Sequence, residues 1–323
     1  MKNSQFLSRC SADAIRSAAK SLAEGNLVAF PTETVYGLGA DATKAEAVAR
    51  IYRVKGRPAD HPLIVHVYSM QAIEPWVSDI PTYAVSLARD FWPGPMTLVM
   101  TRSTLAKDFL TGGQDSVGVR VPNHPIALSL LQEFHKLGGK GVAAPSANRF
   151  GHVSPTTSDA VRSELNEYLE DSDIVLDGGQ SLIGLESTII DCTQNSPRIL
   201  RPGAVTTEMI QSSTGINNLS TYKSSELRVS GSLEKHYSPL ARVLLDQMPE
   251  SGQGYIAMST FPTPHGVIRL AEPGSNEEFA QDLYSSLRKA DSLGLDSLVI
   301  QQPLGDGIAI AIRDRVLRAS KGR

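Results

Sequence analysis

The chain has 323 residues, enough for two domains of ordinary size, and its 41% hydrophobic and 20% charged content excludes the disordered and fibrous classes. Lys and Arg number 31 against 34 Asp and Glu, so a net charge of -3 offers no global attraction to nucleic acid or an anionic membrane, and any anion site has to be local. Residues 1–10 lack the apolar core of a signal peptide, no apolar run reaches a membrane span, and the 2 cysteines, Cys10 and Cys192, have neither metal nor disulfide-framework spacing, which predicts a cytoplasmic protein with plain thiols.

Residues 11–24 place Ile15, Ala18, Ala19 and Leu22 at helical spacing, with Gly25 where a helix stops. An apolar strand at 27–30 ends on Pro31, which fixes φ and withdraws a ladder donor. The loop after it, Pro-Thr-Glu-Thr-Val-Tyr-Gly-Leu-Gly at 31–39, presents Thr32, Thr34 and Tyr36 at a strand's carboxyl end, where open α/β sheets bind ligands, and Gly37 and Gly39 permit close backbone approach. The pattern then predicts a helix at 43–54 stopped by Gly56 and Pro58, a strand at 63–67, and a helix at 81–92 that Trp-Pro-Gly-Pro breaks before a strand at 96–101. Alternation continues with a strand at 117–121, a helix at 125–137, a short strand at 142–144 and a helix at 156–169, then β-branched strands at 174–176, 187–191 and 198–200. This is an α/β unit around a mostly central sheet, assigned to residues 1–212. Composition then turns to Ser, Thr, Asn and Gly, and 213–238 reads as a linker or lid. Strands at 242–245, 255–258 and 298–300 with helices at 276–293 and 306–317 make 239–323 a second, smaller α/β domain.

Lys55-Gly56-Arg57-Pro58 follows a helix directly. Gly56 and Pro58 favour an extended chain in which the two cations converge on one polyphosphate; alternatively, basic residues simply favour a helix carboxyl end. Ser146-Ala147-Asn148 after Pro145 repeats the strand, proline and hydroxyl layout of Phe30-Pro31-Thr32, as a second pocket wall or as local satisfaction of backbone groups. Ser146 lacks the Gly-x-Ser-x-Gly setting of a hydrolase nucleophile, so covalent catalysis has no support. Arg120 alternates against Val119 and Val121 on its strand and reads equally as a carboxylate clamp or a solvent-facing residue. His66 is a ligand partner or a satisfied structural group. Arg201 and the run Glu186-Ser187-Thr188 mark further strand ends, and small polar or basic residues at so many of them favour a shared site. There is no phosphate-binding Gly-x-x-x-x-Gly-Lys loop, and Gly37-Leu38-Gly39 lacks the third glycine of a dinucleotide fingerprint, so a nucleotide would be held unconventionally. No His and carboxylate cluster reads as a metal cage; Mg2+ would arrive with the phosphates.

Together the run at 31–39, Lys55-Gly-Arg-Pro58, Pro62-Leu-Ile-Val-His66, Trp92-Pro-Gly-Pro95, Pro145-Ser-Ala-Asn148 and Glu186-Ser-Thr188 resemble, in order, the YrdC-like threonylcarbamoyl-AMP synthase family over about residues 12–210. Lys235-His-Tyr-Ser-Pro239 and the domain after it resemble the family's two-domain form. The resemblance implies a YrdC-like catalytic domain with a central twisted sheet, followed by a smaller Rossmann-like α/β domain. It implies a nucleotidyltransferase that condenses L-threonine, bicarbonate and ATP into L-threonylcarbamoyladenylate and pyrophosphate, for a transferase complex that modifies the adenosine beside the tRNA anticodon, with contact to tRNA itself. Carried over by position, Lys55 and Arg57 are catalytic, and Thr32, His66, Arg120 and Ser187 bind threonine. Lys55, Arg57, His61, Ser116, Ser146, Asn148, Ser154 and Arg201 hold the nucleotide, with Tyr237 reaching over it from the linker. His61 stands where the family commonly has asparagine, and 229–234 departs from its usual Pro-Gly-Met run.

The implied chemistry suits these residues. Threonine carboxylate, carbamate and triphosphate are all anions, so gathering them calls for cations in a sheltered pocket, and displacement at the α-phosphorus rests on positioning and charge stabilisation. His66 is the candidate base for the threonine amine. Two other classes compete: a noncatalytic module for structured RNA, disfavoured by the acidic balance and 6% aromatic content, and a carbamoyl-transfer domain with another acceptor.

Overall fold

The computed structural model describes residues 10–217, 219–221, 227–231 and 236–322. The amino-terminal stretch 1–9, residues 232–234 and Lys235 of the Lys-His-Tyr run lie outside the described residues.

Helix α1 (Ala12–Glu24) starts where the Ser11 hydroxyl accepts from the Ala14 amide and stops at Gly25, whose φ of 98° falls in the left-handed region that favours glycine. Strand β1 (Val28–Phe30) pairs antiparallel with β2 (Gly37–Asp41), so the hydroxyl-rich loop between them spans only 31–36. The glycine-rich segment therefore re-enters the sheet where the sequence pattern predicts a continuing loop. A side chain at Gly39 would begin 2.7 Å from Val142 Cγ1 and 2.9 Å from the Phe30 ring, and it is the missing side chain that lets the neighbouring strand close in.

Helix α2 (Ala45–Lys55) ends at Gly56, again left-handed, and the chain passes to β3 (Ile64–His66). Helix α3 (Thr82–Phe91), β4 (Met96–Thr101), the short α4 (Asp108–Thr111), β5 (Ser116–Arg120), α5 (Pro125–Lys136), β6 (Val142–Ala143), α6 (Ser158–Leu165) and β7 (Ile174–Val175) follow. Then come β8 (Thr188–Asp191), β9 (Arg198–Arg201), α7 (Thr207–Thr214) and β10 (Ser220–Thr221). The ten strands form one mixed sheet in the order β10-β9-β8-β4-β5-β3-β6-β2-β1-β7. Neither α7 nor β10 is signalled by the polar composition around them; β10 lies within the stretch read as linker and pairs with β9.

The second sheet has β11 (Arg242–Leu245), β12 (Gly254–Ile256), β13 (Ile268–Ala271) and β14 (Ser297–Ile300), all parallel in the order β11-β14-β12-β13. Helices α8 (Asn276–Ser292) and α9 (Ile308–Ala319) pack on it. The two units share apolar contacts: Val35, Val153 and Leu185 of the first belong to the same buried cluster as Phe279, Leu283 and Ile312 of the second. No helix among the described residues is long and apolar enough to cross a membrane.

Candidate active site

A cleft opens where β3, β5, β8 and β9 meet the loop between β1 and β2, with about 550 Å³ of space including its mouth. Of the residues singled out from the sequence, Thr32, Arg57, His66, Arg120, Ser146, Ser187, Arg201 and Tyr237 line it. Parallel pairing of β3 and β5 sets His66 directly against Arg120, which is why two residues far apart in sequence share one wall.

The loop at 31–36 is organised by hydroxyls. Thr32 Oγ1 donates to the Val35 carbonyl at 2.6 Å and accepts from the Thr34 and Val35 amides at 3.2 Å. Its proton thus engaged, it accepts from the Thr34 hydroxyl at 2.8 Å, and Thr34 in turn accepts from Arg120 Nη2 at 3.0 Å. Arg120 also donates through Nε to the Gly94 carbonyl at 3.3 Å, and its Nη2 stands 2.7 Å from Glu33 Oε1. This guanidinium is therefore buried and fixed by neighbours on several elements, the arrangement of a preorganised clamp and not of a solvent-facing side chain.

On the opposite wall Arg201 donates through Nε and Nη2 to the Ser187 carbonyl at 3.1 and 2.9 Å, while the Ser187 hydroxyl lies 2.8 Å from Thr97 Oγ1. Arg201 Nη1 donates to the Ser230 carbonyl at 2.8 Å, and Arg57 Nη2 donates to the Ser230 hydroxyl at 3.1 Å and the Pro62 carbonyl at 3.0 Å. Arg57 Nε is buried without a hydrogen-bond partner among the described residues, as are Tyr237 OH and Asn148 Oδ1. Arg57 and Tyr237 line the cleft, and unspent buried polar atoms there are costly in a protein interior unless a polar ligand meets them.

Burial sets the electrostatics. Desolvation, with Arg201 contributing nearby, brings Arg57 down to about 10, still charged at neutral pH. Burial and the adjacent Arg120 push His66 down to about 3, and its Nδ1 lies 3.3 Å from the Ile64 carbonyl. His66 is thus a neutral imidazole of weak basicity. Glu186 faces the opposite pressure: burial alone would raise it, but Arg315 and Arg201 hold it at about 2. It is the one acidic residue among the described residues lining the cleft.

The remaining predicted residues stand behind or beside this space. Lys55, 2% exposed, donates to the Ser146 carbonyl at 2.6 Å and to the Asn148 carbonyl, and burial with the nearby Arg57 charge draws its pKa well down. It ties down the Pro145–Asn148 loop from below. Asn148 Nδ2 donates to the carbonyls of Arg149 at 2.7 Å and His152 at 2.9 Å, and Ser154 Oγ donates to Glu186 Oε1 at 2.6 Å. Ser116 lines an adjoining smaller cavity with Ile64, Val99 and Val229. His61 stacks edge-on against Phe150 at 5.4 Å, outside the cleft lining. Among the described residues no group of three or more His, Cys, Asp or Glu is placed to hold a metal ion.

The Sua5–YciO–YrdC family model, described as telomere recombination, matches residues 20–203, and the model of the threonylcarbamoyl-AMP synthase C-terminal domain matches residues 205–321. The threonylcarbamoyl-AMP synthase of Pyrococcus abyssi is 38% identical, with 95% of this chain and 94% of that protein covered. This chain belongs to the threonylcarbamoyl-AMP synthase family. The Bacillus subtilis threonylcarbamoyl-AMP synthase is 34% identical over 96% of this chain and 93% of its own. A crystal structure of Pyrococcus abyssi Sua5 complexed with L-threonine superposes with a TM-score of 0.86 at 37% identity, covering 96% of this chain and 95% of that one. The threonylcarbamoyl-AMP synthase fold, a YrdC domain followed by a C-terminal α/β domain, is therefore the one seen here, and the family is an ATP-using, adenylate-forming one.

Motif reading missed Glu33, whose carboxylate meets Arg120, and it missed the part played by α8 and α9. Tyr284 of α8 and Arg315 of α9 reach Glu186 at the cleft wall. A signal for the second existed in the sequence. On α9, Arg315 falls at helical spacing with Ile312, Val316 and Ala319, so an arginine occupies the apolar stripe, and it is 0% exposed.

Proposed function

We propose that this chain condenses L-threonine, bicarbonate and ATP into L-threonylcarbamoyladenylate with release of pyrophosphate. The observation that carries the reading is the cleft in which Arg57, Arg120 and Arg201 converge on one space beside threonine and serine hydroxyls. Arg120, held by Thr34 and Glu33, takes the threonine carboxylate, with Thr32, His66 and Ser187 around the amino acid. Arg57 and Arg201 take the phosphates; Ser146, Asn148, Ser154, Ser116 and His61 shape the nucleotide side; Lys55 holds the Ser146 loop in place through its carbonyls. Bicarbonate takes up a proton and loses water as carbon dioxide forms, and the neutral threonine amine adds to that carbon and gives up a proton, leaving a carbamate. A carbamate oxygen then forms a bond to the α-phosphorus as the bond to pyrophosphate breaks, a displacement served by alignment and positive charge without a covalent enzyme intermediate. Mg2+ enters with the triphosphate as part of that substrate. With the His66 imidazole weakly basic, the amine proton is better lost to water or carbonate than to this ring.

In this reading residues 1–212 are the catalytic domain, 213–238 the linker whose described residues Ser230, Gly231, His236 and Tyr237 cover the cleft, and 239–323 the small domain. The enzyme works in the cytoplasm and passes its labile product to a threonylcarbamoyl transferase complex acting on tRNA. The test is to incubate purified protein with ATP, Mg2+, labelled bicarbonate and each amino acid in turn. Threonine-dependent pyrophosphate release with a labelled adenylate supports the proposal, and RNA retention without turnover overturns it.

A further inference from the structure

Among the described residues Glu186 is the only carboxylate lining the cleft, and it is bound on both oxygens. Glu186 Oε1 accepts from Ser154 Oγ at 2.6 Å, while Oε2 accepts from Tyr284 OH and Arg315 Nε, each at 2.9 Å. Two of these three donors come from the C-terminal domain. Arg315 is itself anchored: Nη2 donates to the Pro202 carbonyl at 3.0 Å, Nη1 to Asp314 Oδ2 at 2.5 Å, and the guanidinium carbon lies 5.3 Å from the Tyr237 ring centre. Tyr284 stacks on Tyr237 at 5.6 Å and 23°. Both side chains are fully buried, so the contact is built into the fold and not formed at a wet interface.

We propose that Arg315 and Tyr284 are positioning residues through which the C-terminal domain neutralises and turns aside Glu186, keeping the catalytic cleft cationic enough to accept ATP. A free carboxylate on this wall would repel the triphosphate and pair with Arg201, whose charge already acts on Glu186 and whose guanidinium binds the adjacent Ser187 carbonyl. Bound by one arginine and two hydroxyls, the carboxylate presents neither penalty. The inference rests on the synthase reading and gives the C-terminal domain a role in nucleotide affinity.

The test is a cycle of Arg315→Met, Glu186→Gln and the double variant, read by threonine-dependent pyrophosphate release and by calorimetric binding of ATP alone. Arg315→Met should weaken ATP binding and raise the KM for ATP by about tenfold or more, because the freed carboxylate then repels the triphosphate and draws on Arg201, while the KM for threonine moves less. Adding Glu186→Gln should bring ATP affinity back to within about threefold of wild type, since the harmful charge is then gone. A folded Arg315→Met protein with unaltered ATP affinity, or a defect that Glu186→Gln leaves unrepaired, overturns the proposal. If Arg315→Met does not fold, Tyr284→Phe decides: removing one hydroxyl and keeping the stacked ring should raise the KM for ATP severalfold, and no change overturns it. Absence of threonine-dependent turnover in the wild type would sink the synthase reading instead, and ATP calorimetry across the same variants would still decide this one.

Discussion

The two walls of the cleft are built in different ways. One is assembled from strand ends of the ten-stranded sheet, where Thr32, His66 and Arg120 each sit at a strand terminus or in the loop just past it. The other closes through His236 and Tyr237, behind which Tyr284 and Arg315 of the C-terminal domain bind Glu186. In the proposed function the first wall receives the substrates, and in the inference drawn from Glu186 the second sets its charge and cover. Local motifs suffice to build a binding wall, whereas tuning it draws on residues some hundred positions away.

The comparison breaks most directly at Arg57. Arg57→Ala should cut ATP-dependent pyrophosphate release by about 100-fold or more with the fold intact, in line with losing a preorganised charged donor at a transferring phosphate. Normal release by a folded variant would remove the Lys55 to Pro58 segment from the chemistry. A second break addresses whether the walls are one body. Leu185 is fully buried in the cluster that joins Val35 and Val153 to Phe279 and Leu283. Leu185→Ala should cost about 2–5 kcal/mol of stability in urea denaturation monitored by circular dichroism. A loss confined to a separate, early transition of the C-terminal domain would show that the two units do not share a core.

Arg120 sharpens the contrast within the first wall. Lysine keeps the charge but loses the fork that meets Gly94, Thr34 and Glu33 at once. Arg120→Lys should raise the KM for threonine by about tenfold while the KM for ATP stays near wild type. Equal changes in both would place the residue between the substrates and not on the amino acid.

The difference between the walls also explains what was legible in the sequence. Pro31 after an apolar strand, Lys55-Gly-Arg57 after a helix and Ser146-Ala-Asn148 after Pro145 each announce themselves within a few residues, because strand ends and helix stops have local chemistry. Strand β2 did not, since Gly37, Gly39 and Ala40 look like loop until the neighbours that require small residues, Val142 and Phe30, are in place. Strand β13 lies in the polar and proline-rich stretch after β12 and has no clear alternation. The motifs place Lys55 and Ser154 at the ligand, and the structure adds what no motif states: Lys55 holds loop carbonyls and Ser154 holds Glu186. The pairing of Glu186 with Arg315 is out of reach of any pattern: 129 positions separate them, and only the packing of α9 brings them together.

Tyr237 sits at the seam of the two walls and gives the finest test. Its φ of 62° is in the left-handed region, unusual for tyrosine, and its hydroxyl is buried without a hydrogen-bond partner among the described residues. A residue kept only for stability would not carry both features. Removing the hydroxyl with Tyr237→Phe relieves an unsatisfied polar group, so the variant should be as stable as wild type or more stable by up to about 1 kcal/mol. Its ring still stacks on Tyr284 and lies under Arg315, so the second wall stays in place. If Tyr237 covers the nucleotide as proposed, the variant loses that contact, and free adenylate should escape roughly threefold faster in rapid filtration after a single turnover, the size of one modest hydrogen bond. Stability and retention thus move in opposite directions. If both fall together, Tyr237 is a packing residue and the cover over the cleft lies elsewhere.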